Sequence, residues 1–324
     1  MTGYLAGVPA DDQASLDVLG PFGFIGVGAA GGALARALAA RGAWVAAVTA
    51  RNAASAAVVA ASIPQCRALP DAAAVANAVD IIFLAVPDDA LAKLDAGLSW
   101  RPEQTIVHLS GAQGIEALPH ALACGAGVAA LHPLMLFARP PLDATAALAR
   151  LAGCTWALEA SDPAVAGRMA ALVAALDGHV VRLTGADRVP YHVAAVLISN
   201  YVVALLGAAV ELWERFGVPP QTALDALIPL LRATVDNLAA FGPVRALTGP
   251  IARGDVGTVA AHLAWLNMPP LPPLSALGEE PGERASLLAA YRALAQLAIP
   301  LALSQGTLSE SAAQALRVAL RADS

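Results

Sequence analysis

A strand, a glycine turn and the start of a helix are encoded by Phe22-Gly23-Phe24-Ile25-Gly26-Val27-Gly28-Ala29-Ala30-Gly31. An Ala- and Leu-rich helical segment follows and stops near Gly42. In a GxGxxG turn of this kind Gly26 makes the tight bend, Gly28 lets the backbone approach a pyrophosphate, and Gly31 lets the helix pack closely on the sheet. The N–H groups at the helix N-terminus would face the phosphates. The pattern predicts dinucleotide binding; a plain glycine-rich turn is the alternative.

The next predicted strand, Ala43 to Val48, indicates which dinucleotide is preferred. NAD enzymes usually place an acidic residue about 20 residues beyond the glycine turn, where it binds the ribose 2′-hydroxyl. Here the strand ends in Thr49, with Arg51 and Asn52 close behind. A guanidinium can pair with a 2′-phosphate through two hydrogen bonds. The sequence therefore favours NADP over NAD, although Arg51 could also be an ordinary solvated loop residue.

Alternation of strands and helices continues over the first half of the chain. Apolar runs typical of strands buried on both faces cover 80–86, 105–109 and 127–131. In doubly wound sheets, ligands bind beyond the carboxyl ends of the strands. Those ends carry the three residues Ala85, Val86 and Pro87, then Ser110, and then His132 before Pro133. We expect them to border a cofactor and substrate crevice, with Pro87 and Pro133 favoured as turn residues and Ser110 and His132 open between site and non-site roles.

The strand pattern ends at Thr184. Before it, 154–158 and 179–183 read as further strands and a helix begins near Pro163, so the sheet should extend at one edge. Beyond it, no convincing strand remains. The expected class is α/β, with a doubly wound sheet followed by an all-α domain. The predicted boundaries are a loose N-terminal extension over 1–19, a nucleotide-binding domain over 20–184 and a helical substrate or dimerisation domain over 185–324.

The first helix of the second half is predicted from about Arg188 to Phe216. Arg188, His192, Ser199 and Asn200 share one side of it by their spacing. This face indicates either satisfied core hydrogen bonds or a substrate site near the domain boundary. Residues 193–210 contain no charge and reach the minimum length of a membrane span. Because polar residues interrupt this run and charges flank it, we predict a buried helix of a soluble protein.

The remaining segments are predicted to be helical. Gln221 to Ala240 should form a helix kinked at Pro229, and three further helices are expected at 256–266, 283–303 and 309–321. A glycine-bearing segment precedes the first of these three, where Arg253 could pair with Asp255 or hold a substrate carboxylate. The Pro-rich segment 268–282 is expected to be a mobile excursion, and residues 139–141 an irregular one.

Composition excludes several classes of protein. The 324 residues are 58% hydrophobic and 14% charged, so the chain is too apolar to be disordered. A net charge of −6 without any basic run leaves nucleic acid no electrostatic surface to bind. The 3 cysteines lack metal-ligand spacing, and no metal site is expected. The acidic segment 1–19 does not read as a signal peptide, so a cytoplasmic location is expected and no membrane partner.

Six motifs occur in an order that is similar to a known family. They are Gly26-Val27-Gly28-Ala29-Ala30-Gly31, Phe83-Leu84-Ala85-Val86-Pro87-Asp88-Asp89, His108-Leu109-Ser110-Gly111-Ala112, Leu131-His132-Pro133-Leu134, Tyr191-His192-Val193-Ala194-Ala195-Val196 with Ser199-Asn200, and Thr248-Gly249-Pro250-Ile251-Ala252-Arg253-Gly254-Asp255. Together they resemble the family that joins a Rossmann-like domain to the helical domain of unknown function 2520, over about 22–266. That family looks like a relative of the pyrroline-5-carboxylate reductases, the β-hydroxyacid dehydrogenases and the prephenate dehydrogenases.

The resemblance implies NADP-dependent hydride transfer on a small oxo- or hydroxy-acid, with a ketopantoate-like compound as the leading candidate, and a homodimer through the helical domain. One feature departs from it. The β-hydroxyacid dehydrogenases carry a catalytic lysine on the first interdomain helix, whereas Lys93 is the only lysine here. Arg188 stands in the comparable place and cannot readily release a proton. His192, one turn further on, is expected to take over the acid role.

The resulting hypothesis assigns roles to named residues. His192 or His132 supplies the proton, Arg188 or Arg253 holds the carboxylate, and Asn200 binds the reacting oxygen. Ser110, Tyr191 and Ser199 are expected to contact the substrate. Two alternatives stay open at this point: an inactive NADP-binding regulatory protein that lost catalysis with the lysine, and a deazaflavin-dependent NADP reductase.

Overall fold

The computed structural model describes residues 20–137, 143–268 and 283–321. The predicted extension at 1–19, the irregular stretch at 139–141 and residues 269–282 of the Pro-rich excursion lie outside them. Contacts divide the chain into two compact units, Met1–Asn200 and Tyr201–Ser324. The first unit therefore extends beyond residue 184, because the helix that follows the last strand packs on the sheet.

An eight-stranded sheet forms the centre of the first unit. Its order is β3-β2-β1-β4-β5-β6-β7-β8, and every neighbouring pair is parallel except β6 and β7. The strands are β1 (Phe22–Ile25), β2 (Val45–Thr49), β3 (Arg67–Ala68), β4 (Ile81–Leu84), β5 (Thr105–His108), β6 (Gly127–Pro133), β7 (Thr155–Ala160) and β8 (His179–Arg182). The predicted doubly wound sheet is thus confirmed, and β3 is a short strand that the sequence pattern did not indicate.

The described residues of this unit form eight α-helices. They are α1 (Ala29–Ala40), α2 (Ala53–Ala61), α3 (Ala72–Ala78), α4 (Asp88–Ala96), α5 (Pro119–Ala123), α6 (Ala144–Leu151), α7 (Pro163–Ala175) and α8 (Gly185–Ile198). Side chains alternate along the strands between two cores: Phe24 and Phe83 pack with α1, α2, α6 and α7, whereas Ile82 and Leu84 pack with α3, α4 and α5. Both faces of the sheet are therefore covered.

The strand order reverses between β1 and β4, because β1 pairs with β2 on one side and with β4 on the other. Crevices at such a reversal, outside the carboxyl ends of the strands, are where ligands bind in open α/β sheets. Here β1 ends at Ile25, β4 at Leu84, β5 at His108 and β6 at Pro133. The residues that follow these ends form the candidate site.

The described part of the second unit is helical. Its helices are α9 (Asn200–Glu214), α10 (Pro220–Ala246), α11 (Gly249–Arg253), α12 (Val256–Leu266), α13 (Glu283–Gln305) and α14 (Glu310–Arg321). A small core joins α11 to α14 through residues such as Val259, Ile299 and Leu316. The all-α character predicted for this part of the chain agrees with these elements.

Two helix predictions were wrong in detail. The helix expected from Arg188 to Phe216 is interrupted at Ser199, which has φ −116°. Its hydroxyl donates to the Ala195 carbonyl at 2.6 Å, a kind of bond that often bends helices. The break in α10 lies at Gly242, which has φ 71°, rather than at Pro229. Pro243 explains this position, because proline disfavours helical geometry at the residue before it and glycine tolerates positive φ.

The prediction that residues 193–210 are buried was also wrong. Most side chains of α8 and α9 are exposed or half-buried, and large apolar ones such as Leu197, Ile198 and Val203 are exposed. Within the described residues, the segments 185–214 and 286–305 are long and apolar enough to cross a membrane. Length and composition alone are weak indications of a span, and exposed apolar surface of this kind is also typical of contacts between proteins.

Candidate functional site

The glycine turn between β1 and α1 has the geometry expected of a phosphate cradle. Gly26 has φ 94°, and a Cβ there would lie 2.4 Å from the Ala85 carbonyl oxygen. A Cβ on Gly31 would lie 2.2 Å from the Gly26 carbonyl oxygen. Gly28 differs, because a Cβ there would meet no atom within 4 Å. Two glycines thus close the turn, and the third leaves open space beside the N-terminus of α1, which Ala29 and Ala30 begin.

The end of β2 carries the residues predicted to discriminate between cofactors. The Thr49 side chain is buried, and its carbonyl accepts from the Gly26 N–H at 2.8 Å, so β2 supports the glycine turn. Asn52 caps α2, its side-chain oxygen accepting from the N–H groups of Ala54 and Ser55. Arg51 is exposed between them. Arg51 is therefore the accessible cation at this strand end, whereas Asn52 has a structural role.

The ends of β4 and β5 are joined by a hydrogen bond between side chains. Ala85 and Val86 line the glycine turn, and Pro87 precedes α4. The Ser110 hydroxyl donates to Asp88 at 2.7 Å and accepts from the Gln113 N–H at 3.0 Å. Ser110 is therefore held in place and nearly buried. Asp88, which the sequence analysis left without a role, fixes its orientation.

Buried His108 holds the loop that follows β5 through two hydrogen bonds. The His108 ring donates from Nε2 to the Gly114 carbonyl at 2.9 Å and accepts at Nδ1 from the Ser110 N–H at 3.3 Å. Because one partner only accepts and the other only donates, these two bonds fix the tautomer. Burial, with Arg188 acting in the same direction, lowers the pKa of His108 to about 4. His108 is thus a neutral structural residue at neutral pH.

His132 lies at the end of β6 in contact with two residues of α8. Its Nδ1 is 2.8 Å from the Tyr191 hydroxyl, and the rings of His132 and His192 meet edge to face with centroids 6.2 Å apart. A Cβ on Gly111 would lie 2.7 Å from Nδ1 of His192 and 3.1 Å from Nε2 of His132. The missing side chain at Gly111 therefore lets two imidazoles approach the β5 loop.

Burial keeps His132 and Tyr191 of this cluster in their uncharged forms at neutral pH. Burial lowers the pKa of His132 to about 4, and the neighbouring His192 and Arg188 lower it further than Asp88 raises it. Burial also raises the pKa of Tyr191 to about 12. At neutral pH, His132 is therefore a neutral imidazole and Tyr191 a protonated phenol. His192 keeps a buried Nδ1 without a hydrogen-bond partner among the described residues.

Arg188 is a buried cation close to His132, Tyr191 and His192. Its guanidinium donates to the Ala130 carbonyl at 2.7 Å through Nη2 and to Glu159 at 3.3 Å through Nε. The side chain is 1% exposed, and Nη1 has no partner in the described chain. Burial lowers the pKa of Arg188, while Glu159 opposes that shift. Arg188 thus serves to anchor α8 on β6 and β7.

Ser199, Asn200 and Arg253 were also predicted for the site, but within the described residues none of them makes a hydrogen bond to the residues of this cluster. The Ser199 hydroxyl donates to the Ala195 carbonyl and lies 2.9 Å from the Asn200 side chain, so both residues are engaged locally at the end of α8. Arg253 belongs to the second unit, where it is exposed in the last turn of α11. The following Gly254, with φ 68°, ends that helix, and Asp255 caps α12. Asp255 therefore has a capping role, and its predicted pairing with Arg253 stays a prediction.

Three residues that shape the site were not predicted from the sequence: Asp88, Gly111 and Glu159. Asp88 and Gly111 belong to two of the six motifs, whereas Glu159 belongs to none. The contacts of these residues join separate strands, so spacing and periodicity along the sequence do not indicate them. In the described ranges no group of three or more His, Cys, Asp or Glu side chains converges on a point that could hold a metal.

Comparisons with known proteins agree with the two-part organisation. The model of the Rossmann-like domain family matches residues 11–133, and the model of domain of unknown function 2520 matches residues 154–298. The chain joins these two domains. This confirms the pairing that the motifs indicated. No curated protein sequence matches the chain.

Solved structures share the fold at low sequence identity. A Bacteroides fragilis protein described as a candidate NADP oxidoreductase has a TM-score of 0.69 at 22% identity, covering 87% of this chain and 98% of its own. The 1-pyrroline-5-carboxylate reductase of Streptococcus pyogenes has a TM-score of 0.58 at 17% identity, covering 88% and 98%. An Aspergillus terreus reductive aminase in complex with NADPH4, cyclohexanone and allyl amine has 0.52 at 17%, covering 93% and 92%. At these identities, the likeness is one of fold.

Proposed function

We propose that this protein is an NADP-dependent oxidoreductase that transfers a hydride between NADPH and a small oxo- or hydroxy-acid, or the corresponding imine. The observation that carries the proposal is the open space at Gly28 in a glycine turn whose other two glycines are closed by backbone contacts. That turn lies at the same edge of the sheet as the imidazole pair of His132 and His192. One compact unit thus contains a dinucleotide cradle and groups able to exchange or share a proton.

The residues present fit the cofactor. The pyrophosphate would lie against Gly28 and the N-terminus of α1, where backbone N–H groups and the helix dipole favour an anion. Exposed Arg51 would pair with the 2′-phosphate. Ala85, Val86 and Pro87 would border the nicotinamide end. The names of the similar structures, which include NADP and NADPH, support the same choice of cofactor.

The chemistry needs one proton for each hydride. When bound, NADPH supplies the hydride to an electrophilic carbon, and a carbonyl or imine also takes up one proton to become an alcohol or amine. His192 is the acid in this proposal, because its Nδ1 is unpaired and faces Gly111. Ser110, oriented by Asp88, would contact the substrate. Ser199 and Asn200 are left out, since their hydrogen bonds are local.

A small acid remains the proposed substrate class, with a ketopantoate-like compound first. Of the two arginines predicted to hold its carboxylate, Arg188 has its guanidinium buried by Glu159 and Ala130, whereas Arg253 is exposed. Arg253 is the first to test because it is an accessible cation of the second unit, and Arg188, whose buried Nη1 has no partner in the described chain, is the alternative. The names of two similar structures, a pyrroline-carboxylate reductase and a reductive aminase, favour including imines in the screen.

The proposed assembly is a soluble cytoplasmic homodimer through the helical unit. α10 has 27 residues, of which Ala223 alone is buried, and Leu230, Val235, Leu238 and Phe241 are exposed on it. Helices in water depend on packing of an apolar face rather than on propensity alone. A second copy would bury these side chains, as homodimer interfaces do. A membrane would place the charged residues Arg232 and Asp236 of the same helix in lipid, which costs free energy.

Titration with NADPH and with NADH, followed by nicotinamide fluorescence, tests the cofactor assignment. NADPH should bind more tightly, and Arg51→Asp should remove the preference while leaving NADH binding intact. Absence of binding by either cofactor would refute the oxidoreductase assignment. Tight NADPH binding without turnover of any small acid or imine would instead indicate a regulatory protein, and hydride transfer to a deazaflavin would indicate a different acceptor.

A further inference from the structure

We propose that Tyr191 is a positioning residue that fixes neutral His132 as its Nε2–H tautomer, so that His132 presents a hydrogen-bond donor rather than a proton-releasing acid to the reacting oxygen or nitrogen. This inference rests on the proposed reductase function and deepens it. It divides two roles between two histidines: His132 polarises the substrate and His192 supplies the proton.

The geometry around Tyr191 carries the argument. The hydroxyl lies 2.8 Å from Nδ1 of His132, and the rings meet edge to face at 85°. This is the only hydrogen bond of that hydroxyl among the described residues. The phenol proton therefore points to Nδ1, because the reverse arrangement would leave a half-buried O–H donor without an acceptor. With Nδ1 occupied as an acceptor, a neutral ring carries its proton on Nε2.

Nε2 of His132 is the nitrogen that faces the β5 loop. It lies 3.1 Å from where a Cβ of Gly111 would stand, and His192 Nδ1 lies 2.7 Å from the same point. Both nitrogens thus pack closely against Gly111, which has no side chain to separate them from the β5 loop. An Nε2–H group there can donate to a carbonyl oxygen or imine nitrogen next to the group that we assign as the acid.

Burial, and after it the charges near His132, keep the ring neutral. His192 and the buried Arg188 disfavour a second proton, Asp88 alone favours it, and Tyr191 is an uncharged phenol at neutral pH. Arg188 is fixed by the Ala130 carbonyl and Glu159, so its charge stays close enough to act on His132. A neutral imidazole stabilises developing negative charge by donating a hydrogen bond, without losing its proton.

The test measures the tautomer directly. Two-bond ¹⁵N–¹H spectra of the whole protein at pH 7, with the His132 signals assigned by their loss in His132→Gln, should show an unprotonated Nδ1 and a protonated Nε2. Tyr191→Phe should produce a mixture of both tautomers. The same variant should lower kcat about tenfold, the value of one lost hydrogen bond. Its Kd for NADPH should stay within about twofold, since Tyr191 is assigned no cofactor contact.

A second His–Tyr pair provides the matched control. Nδ1 of His262 is 2.8 Å from the Tyr291 hydroxyl, with ring centroids 5.7 Å apart at 85°, the same dimensions as in the His132 pair. Tyr291→Phe should leave the His132 spectrum and kcat unchanged. A similar fall in kcat for both variants would assign Tyr191 a merely structural role and overturn the proposal.

Two further outcomes also decide the matter. A protonated Nδ1 on His132 in the wild type, or a Tyr191→Phe spectrum identical to that of the wild type, would overturn the proposal. The spectra need neither cofactor nor turnover. Failure of NADPH binding would therefore refute the proposed function separately, while the tautomer measurement would still decide whether Tyr191 positions His132.

Discussion

Nη2 of Arg188 donates to the Ala130 carbonyl at 2.7 Å, and this bond attaches α8 to β6. Nε of the same guanidinium donates to Glu159 on β7, so one side chain joins a helix to two neighbouring strands. Tyr191 and His192, three and four residues further along α8, are thereby held against His132 at the end of β6. The guanidinium that was predicted from the sequence as one of two candidates for the substrate carboxylate therefore also positions the helix that carries the site.

Arg188→Met should therefore destabilise the protein. Met conserves most of the side-chain volume but leaves the largely buried Glu159 without its cation. Breaking a buried pair by removing one partner lowers the free energy of unfolding by about 3 kcal/mol. Urea denaturation followed by circular dichroism would measure the change.

The exposed ion pair between Arg41 and Asp177 provides the comparison. Arg41→Met should lower the free energy of unfolding by less than about 1 kcal/mol, as is usual for pairs at the surface. A raised KM for acid substrates in Arg188→Met, with unchanged stability, would instead restore the substrate-binding role predicted from the sequence.

Stability should also fall in acid because of two buried imidazoles. His108 and His132 have pKa values of about 4 in the folded chain, below the ordinary value of 6.5. Between those values the unfolded chain binds more protons, so each imidazole contributes stability that is complete above pH 6.5 and is lost as the pH falls toward 4. The loss per imidazole is on the order of 3 kcal/mol. Denaturant titrations at pH 7 and pH 4.5 would measure it.

His108→Gln separates this effect from general acid denaturation. The variant is less stable at pH 7, because it loses a buried ring, but its difference in stability between the two pH values should shrink. His179→Gln removes an exposed histidine and serves as the control. An unchanged pH difference in His108→Gln would show that His108 does not cause the loss.

Local signals in the sequence predicted much of the fold and less of the site. The glycine turn depends on residues within one βα unit, so its order of strand, turn and helix could be predicted from the sequence. The Tyr191–His132 bond joins positions 59 residues apart and depends on how α8 meets β6. Burial of residues 193–210 was mispredicted because an apolar run has the same pattern whether it packs on its own chain or on another. The break at Gly242 depends on Pro243, which the analysis did not weigh.

The homodimer can be tested on α10. Leu230→Lys and Leu238→Lys place charges on a face that a second copy would bury, so the double variant should be monomeric by light scattering where the wild type is dimeric. Val58→Lys changes an exposed apolar residue of α2 in the first unit and should leave the dimer intact. A monomeric wild type would refute the assembly, and recovery in the membrane fraction would favour a bilayer as the partner of this face.

Arg253→Gln tests the carboxylate assignment. Loss of a charge-assisted hydrogen bond of about 2 kcal/mol should raise KM for an acid substrate by roughly thirtyfold. Stability should change little, because Arg253 is exposed. The methyl ester or amide of the same substrate is the matched control, since it lacks the negative charge and its KM should respond only weakly. Equal effects on the acid and the ester would exclude Arg253 as the carboxylate partner.

Gly28→Ala is the sharpest test of the cofactor site, because the cradle is open there in the free protein. A Cβ at Gly28 meets no atom within 4 Å, and the backbone φ of −68° suits alanine, so the variant should fold with unchanged stability. The same methyl group would occupy the space in which a pyrophosphate approaches the backbone. NADPH affinity should therefore fall by at least about tenfold, which corresponds to roughly 1.4 kcal/mol.

Gly167→Ala adds a methyl group to equally open space on α7 and should leave the affinity unchanged. Full NADPH binding by Gly28→Ala would mean that the glycine turn does not hold the cofactor.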